Sequence, residues 1–187
     1  MAKELTREQV ELLVIQAQNG DSASFARIYD FFVDPIYRYI YFKVPKADAL
    51  DLTETVFLKV WENLRSYRSS QGSAFASWLY RIAHNAVVDH YRLHKEYAEL
   101  DDNAADEKKD HDPVSTAERK LGQDALRTAI SKLKKSYQQV ILLKYINELE
   151  NHEIAHVLGR SEGSLRILKF RALKALKKVL ENMNITP

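Results

Sequence analysis

His152 and His156 lie four residues apart, with Glu153 directly after the first, in the stretch NHEIAHVLGRSE (Asn151 to Glu162). On a helix this H-E-x-x-H pattern puts two imidazoles on one face, where they can hold zinc while the carboxylate serves as general base. Glu162 falls where a longer form of the pattern places a third ligand. His90 and His94, with Asp89 beside them, form a second pair at the same spacing.

The surrounding residues favour a different use of the string. Ile154 and Leu158 point to a core, and Ala155 is small enough for two helices to cross closely. Gly159 supplies a left-handed residue to stop the first helix, and Ser161 caps the next. Leu165, Leu168, Ala172 and Leu176 then repeat at helical spacing and hold a longer helix down. Arg166, Lys169, Phe170, Arg171 and Lys174 remain for a partner. A short helix, a tight turn and a longer basic helix form a helix-turn-helix, whose second helix suits the DNA major groove. A protease would also need a third ligand and a cleft. Here Glu162 opens a helix that already has a packing role, so His152 and His156 are expected as exposed residues of the supporting helix. His90 and His94 are read as a chance pair near a helix end, and no metal or other cofactor is expected.

The elements that must position this module are helical. Five Gly and four Pro in 187 residues are few for a turn-rich β architecture. The apolar fraction of 45% is enough to build a core. Without cysteine there is no disulfide, thiolate metal site or thiol nucleophile. The N-terminal MAKELTREQVELL has no signal-peptide core, and no apolar run approaches the roughly 20 residues of a membrane span. A cytoplasmic protein without membrane insertion is expected.

Charge divides the chain. Residues 1–95 carry 12 basic and 11 acidic residues, residues 96–119 carry 3 and 9, and residues 120–187 carry 13 and 6. The expected fold is all-α, with two small helical domains (1–95 and 120–187) joined by a flexible acidic linker (96–119) that contains Pro113. The first domain reads as four helices. One covers residues 6–19. A second is capped by Asp21 or Ser22 and broken or restarted at Pro35. A third runs from about Ala47 to Leu64, with Phe57, Val60, Trp61 and Leu64 as its apolar stripe. A fourth, of about twenty residues, is capped by Ser73 and buries Phe75, Leu79, Ile82 and Ala86.

Three stretches, in this order, resemble the extracytoplasmic-function (ECF) group of bacterial RNA polymerase sigma factors. DLTETVFLKVWENLRSYR is similar to the family's D-x-x-Q-E-x-F-x-x-x-W segment, and SAFASWLYRIAHNAVVDHYR to its F-x-x-W-L-Y-x-I-A-x-N-x-x-x-D segment. HEIAHVLGRSEGSLRILKFRALKAL is similar to its helix-turn-helix. The match covers roughly residues 10–183.

The resemblance implies a protein with no catalytic site that binds core RNA polymerase, directs it to promoter DNA and helps open the duplex. Asp51, Glu54 and Leu58 are implied to dock on the polymerase, with Phe57 and Trp61 in the core. Arg81, Asn85, Val88, Arg92 and Lys95 form a mostly polar, basic stripe on the fourth helix. The resemblance implies that this stripe binds the separated non-template strand of the minus-ten element, with Asn85 reading an extruded base and Tyr67 flanking it. Stacking on an aromatic ring is worth about 1–3 kcal/mol per base. Arg166, Phe170, Arg171 and Lys174 are implied to read duplex DNA at the minus-thirty-five element, with Arg160 and Ser161 near phosphate. An anti-sigma factor is the implied regulator.

The chain departs from the family at three places. Thr53 replaces the usual Gln before Glu54, Ser164 replaces Thr, and Ile167-Leu168 replace Ser-Arg in the recognition helix. The last change removes a charged contact and offers a methyl-seeking one. The competing reading is a helix-turn-helix repressor or activator that acts without polymerase. It leaves the Trp61 segment and the basic fourth helix unexplained.

Overall fold

A computed structural model describes residues 5–69, 74–100 and 117–183, with backbone only at 94–100 and 117–123. Among the described residues there are eight α-helices and no strand. The first four are α1 (Arg7–Gln18), α2 (Ser22–Tyr41), α3 (Lys46–Asn63), which ends in a 3-10 turn (Leu64–Ser66), and α4 (Phe75–Leu100). The second four are α5 (Ala117–Ser131), α6 (Lys135–Ile141), which continues into a π-helical turn (Leu142–Ile146), α7 (Asn151–Leu158) and α8 (Glu162–Asn182).

Local chemistry sets four of the eight helix starts, those of α1, α2, α7 and α8. Thr6 and Gln9 form a reciprocal cap on α1. Asp21 caps α2 through Ala23 N–H at 3.0 Å. Pro35 does not break α2, contrary to the sequence expectation. A helix-interior proline costs about 3 kcal/mol. Five buried side chains on one face of the same helix (Ile28, Phe32, Ile36, Tyr39 and Ile40) oppose that cost, each worth about 1.5–3 kcal/mol. The burial outweighs the proline.

α4 runs on to Leu100 and α5 starts at Ala117, so helix occupies both ends of the segment read as a linker. No Gly or Pro lies between residues 95 and 100 to stop α4. The middle of the acidic segment, residues 101–116, lies outside the described residues, as does the expected cap Ser73.

The two groups of helices share one continuous core. α7 packs against α4, and the π-helical turn packs against α2. Polar contacts flank this seam. Arg127 donates to the Val44 carbonyl at 2.8 Å and lies 4.5 Å from the centre of the Tyr41 ring. Gln139 Nε2 and the Tyr39 hydroxyl both meet Nδ1 of His84, at 3.2 and 3.3 Å. An amide N–H can only donate, so that imidazole nitrogen is the acceptor. Lys135 lies 5.5 Å from the Tyr91 ring centre.

Candidate nucleic-acid interface

α3 is held inward by Ala49, Thr53, Val56, Phe57 and Val60. The three expected docking residues, Asp51, Glu54 and Leu58, are all exposed on its other side. Thr53 is buried and its hydroxyl donates to the Ala49 carbonyl at 2.7 Å, so the residue that replaces the family's Gln has turned inward. Trp61 corrects an expectation. It is 47% exposed and meets the ring of Phe25 edge-on, at 4.7 Å between ring centres. Leu50, Glu54, Leu58 and Trp61 therefore form an exposed stripe at i, i+4, i+8 and i+11. Leu50 was missed in the sequence, although as an apolar residue off the Phe57 stripe it carried a signal.

Arg81, Asn85, Val88 and Arg92 are exposed along one side of α4, as expected. The side chain of Lys95 lies outside the described residues. Beside Asn85 is a cavity of about 350 Å³, lined by Lys59, Asn63, Ser66, Trp78, Ile82 and Asp89. Trp78, Ile82, Asn85 and Asp89 follow one another at helical spacing, while Lys59, Asn63 and Ser66 come from the end of α3 and its turn. Asp89 is flanked by Lys59 and Arg92, each at 3.7 Å. The cavity thus combines an indole, two amides and paired charges. An aromatic face can stack on a base, and amides can pair with its edge. Sequence reading found Asn85 but not the partners contributed by α3.

Tyr67 is placed differently from the expectation. It is 5% exposed, and its ring packs on Phe75 and Trp78 at 5.4 and 5.2 Å between centres. Its hydroxyl donates to the Glu11 carboxylate at 3.0 Å. Burial, with a smaller contribution from the nearby Glu11, pushes the phenol up to about 12. Glu11 also accepts from Phe75 N–H at 2.9 Å, which caps the start of α4. Gln18 ties the same turn down by donating to the Leu64 and Tyr67 carbonyls, both at 2.9 Å. In this conformation Tyr67 braces the cavity wall and presents no face to a base.

The helix-turn-helix forms as the sequence indicates. Gly159 sits at φ 61°, and the Ser161 hydroxyl accepts from Ser164 N–H at 3.3 Å. Leu165 and Ala172 are buried under α8. Arg160, Ser161, Arg166, Phe170, Arg171 and Lys174 are all exposed. Ile167 also faces outward, whereas Leu168 packs against the core. Lys169 reaches back to the Asn151 side chain at 3.4 Å. The zinc alternative finds no support in these positions. The Glu153 carboxylate accepts from Glu150 N–H at 2.9 Å and so caps α7, and His152 and His156 are half-buried. His90 faces Asp48 at 3.4 Å. Among the described residues, no group of three or more His, Cys, Asp or Glu is placed to hold a metal ion. Among them too, no helix is long and apolar enough to cross a membrane.

Comparison with known proteins agrees with this layout. Residues 28–96 match the family model for sigma-70 region 2, and residues 123–176 match that for sigma-70 region 4. The ECF RNA polymerase sigma factor BldN of Streptomyces coelicolor is 35% identical over 174 residues, which span 90% of this chain and 64% of that protein. The ECF RNA polymerase sigma factor SigW of Bacillus subtilis is 31% identical over 179 residues, spanning 90% of this chain and 95% of that protein. The fold is shared with Bartonella quintana RpoE, solved with the anti-sigma factor NepR. The TM-score is 0.72 at 18% identity, covering 84% of this chain and 96% of that one. With both sigma-70 regions matched in order and a full-length relative above 30% identity, the chain belongs to the ECF group of RNA polymerase sigma factors.

Proposed function

We propose that the exposed side of α3 docks on core RNA polymerase through Asp51, Glu54 and Leu58, and that α4 and α8 contact the two promoter elements. Arg81, Asn85 and Arg92 take the single-stranded minus-ten element, with an extruded base in the cavity beside Asn85. Arg160, Ser161, Arg166, Phe170, Arg171 and Lys174 take the minus-thirty-five element as duplex. Tyr67 acts as the brace of the minus-ten cavity. Residues 1–95 carry the polymerase and minus-ten functions and residues 120–187 carry minus-thirty-five binding, with 96–119 as the connector. The protein works in the cytoplasm, where polymerase and DNA are. Its proposed regulator is an anti-sigma factor, the kind of partner found on B. quintana RpoE.

The observation that carries this reading is the pairing of two exposed cationic faces on one chain, one beside the Asn85 cavity and one on a helix-turn-helix. A conventional repressor needs only the second. The test is transcription by bacterial core polymerase, with and without the protein, on a fragmented genomic library. Discrete new starts that are lost in Asn85→Ala and in Arg171→Ala are expected. If core polymerase ignores the protein while the protein alone binds particular duplex sites, the assignment fails and a conventional regulator replaces it. For the regulator, purification from the native cell without stimulus should bring down a stoichiometric inhibitor, and its absence would count against an anti-sigma factor.

A further inference from the structure

The outward face of α8 is not purely cationic. Ile167 is 56% exposed and Phe170 is 70% exposed, one helical turn apart. Neither belongs to the core cluster, which α8 reaches through Leu165, Leu168, Ala172 and Leu176. Arg166, Arg171 and Lys174 surround the pair and are themselves exposed. Among the described residues, these two large apolar groups stand outside the core and are set among positive charges. Their surroundings suit a partner that is polyanionic and yet offers apolar points of contact.

Duplex DNA offers such points in its major groove. Thymine is the one base that displays a methyl group there, at the C5 position, where cytosine carries only hydrogen. Residues three apart on a helix are separated by about 4.5 Å along its axis, a little more than one base step of about 3.4 Å. Ile167 and Phe170 can therefore address neighbouring base pairs, while the flanking cations hold phosphates. The two apolar residues at 167 and 168 also separate in role, because Leu168 is spent on the core and Ile167 is free to select.

We propose that Ile167, together with Phe170, makes α8 a reader of thymine C5-methyl groups, so that the minus-thirty-five element of this protein contains thymine at the positions these side chains reach. This rests on the proposed duplex-reading role of α8.

The test uses the full chain bound to core polymerase. Random-sequence duplexes are selected by this complex, and in the strongest binder each thymine is replaced in turn by deoxyuridine, which removes the methyl and nothing else. At one or two positions, loss of the methyl should weaken binding about four-fold, which corresponds to ~0.8 kcal/mol for one buried carbon. In Ile167→Ser, the sensitivity at one of those positions should disappear while the others keep theirs. The deoxyuridine series on the unaltered protein does not depend on whether the variant folds. A selected element that tolerates every methyl removal overturns the inference but leaves duplex reading intact, and the apolar pair then belongs to a protein contact. Unchanged methyl sensitivity in a folded Ile167→Ser also overturns the role of Ile167. If the complex selects no duplex sequence at all, the duplex-reading proposal falls and takes this one with it.

Discussion

Replacing Glu11 by Ala should destabilise the region that forms the Asn85 cavity, by an amount that follows from its contacts. The carboxylate accepts from Phe75 N–H at 2.9 Å and from the Tyr67 hydroxyl at 3.0 Å. Hydrogen bonds to a charged group contribute about 1.5–3 kcal/mol each. The Ser69 hydroxyl also hydrogen-bonds the Tyr67 hydroxyl; a hydroxyl can accept as well as donate, so Tyr67 can turn to it when the carboxylate is gone and its share lies at the low end. The total expected for Glu11→Ala is about 3–4.5 kcal/mol. With a urea dependence of about 2 kcal/mol per M, the unfolding midpoint should fall by roughly 1.5–2.3 M. Tyr67→Phe removes one of the two contacts and should cost about 1.5 kcal/mol, the low end of that range. The two residues touch, so their effects should not add, and Tyr67→Phe should cost much less once Glu11 is gone. The assay is equilibrium urea unfolding of the four proteins of this cycle. A loss below ~0.5 kcal/mol for Glu11→Ala, or strict additivity with Tyr67→Phe, would falsify the bracing role.

Gly159→Ala forces a side chain into φ 61°. It should cost about 1 kcal/mol, which calorimetry would register as a drop in Tm of about 2–4 °C. Arg127→Ala removes a charged hydrogen bond and a cation–π contact from the seam. Together these are worth about 2–4 kcal/mol, and the radius of gyration from X-ray scattering should rise, an unchanged value arguing against a seam held by Arg127. His84 faces Tyr39 and Gln139 with Lys43 nearby, and burial followed by the Lys43 charge lowers its pKa from 6.5. A lowered value means that the unfolded chain binds more protons, so the contribution of His84 is complete above about pH 6.5 and is lost as pH falls through the folded pKa. The urea midpoint should drop between pH 7.5 and 5.5, and His84→Gln should reduce that drop. Lys174→Ala should weaken duplex binding for all sequences alike and lower the slope of log affinity against log salt by about one.

The helix-turn-helix was legible because each of its signals is local: a glycine at the turn, a serine cap and a leucine stripe. The features that escaped depend on contacts far apart in sequence. Pro35 reads as a break until the buried face on both sides of it is counted. Trp61 shares the spacing of Phe57, yet its neighbours leave half of it outside the core. Tyr67 reads as a loop aromatic because Glu11, which holds it, lies 56 residues away. Asn85 could be picked out on α4, but its cavity needs Lys59 and Asn63 from α3, and the pairing of those helices is tertiary. The seam was invisible for the same reason, since Arg127 meets Val44 and Tyr41, and His84 meets Tyr39 and Gln139, all far away in sequence.

The shared core across that seam has a consequence for affinity. Any partner that must hold the two halves apart binds only the fraction of molecules in which the seam is already open. Its apparent dissociation constant equals the intrinsic one divided by that fraction. Each 1.4 kcal/mol of seam stability therefore weakens such a partner about ten-fold without altering one contact residue, while a partner that accepts the closed form is unaffected. Substitutions at Tyr41, Arg127, Gln139 or His84 would then shift the competition between two partners whose own binding surfaces they never touch.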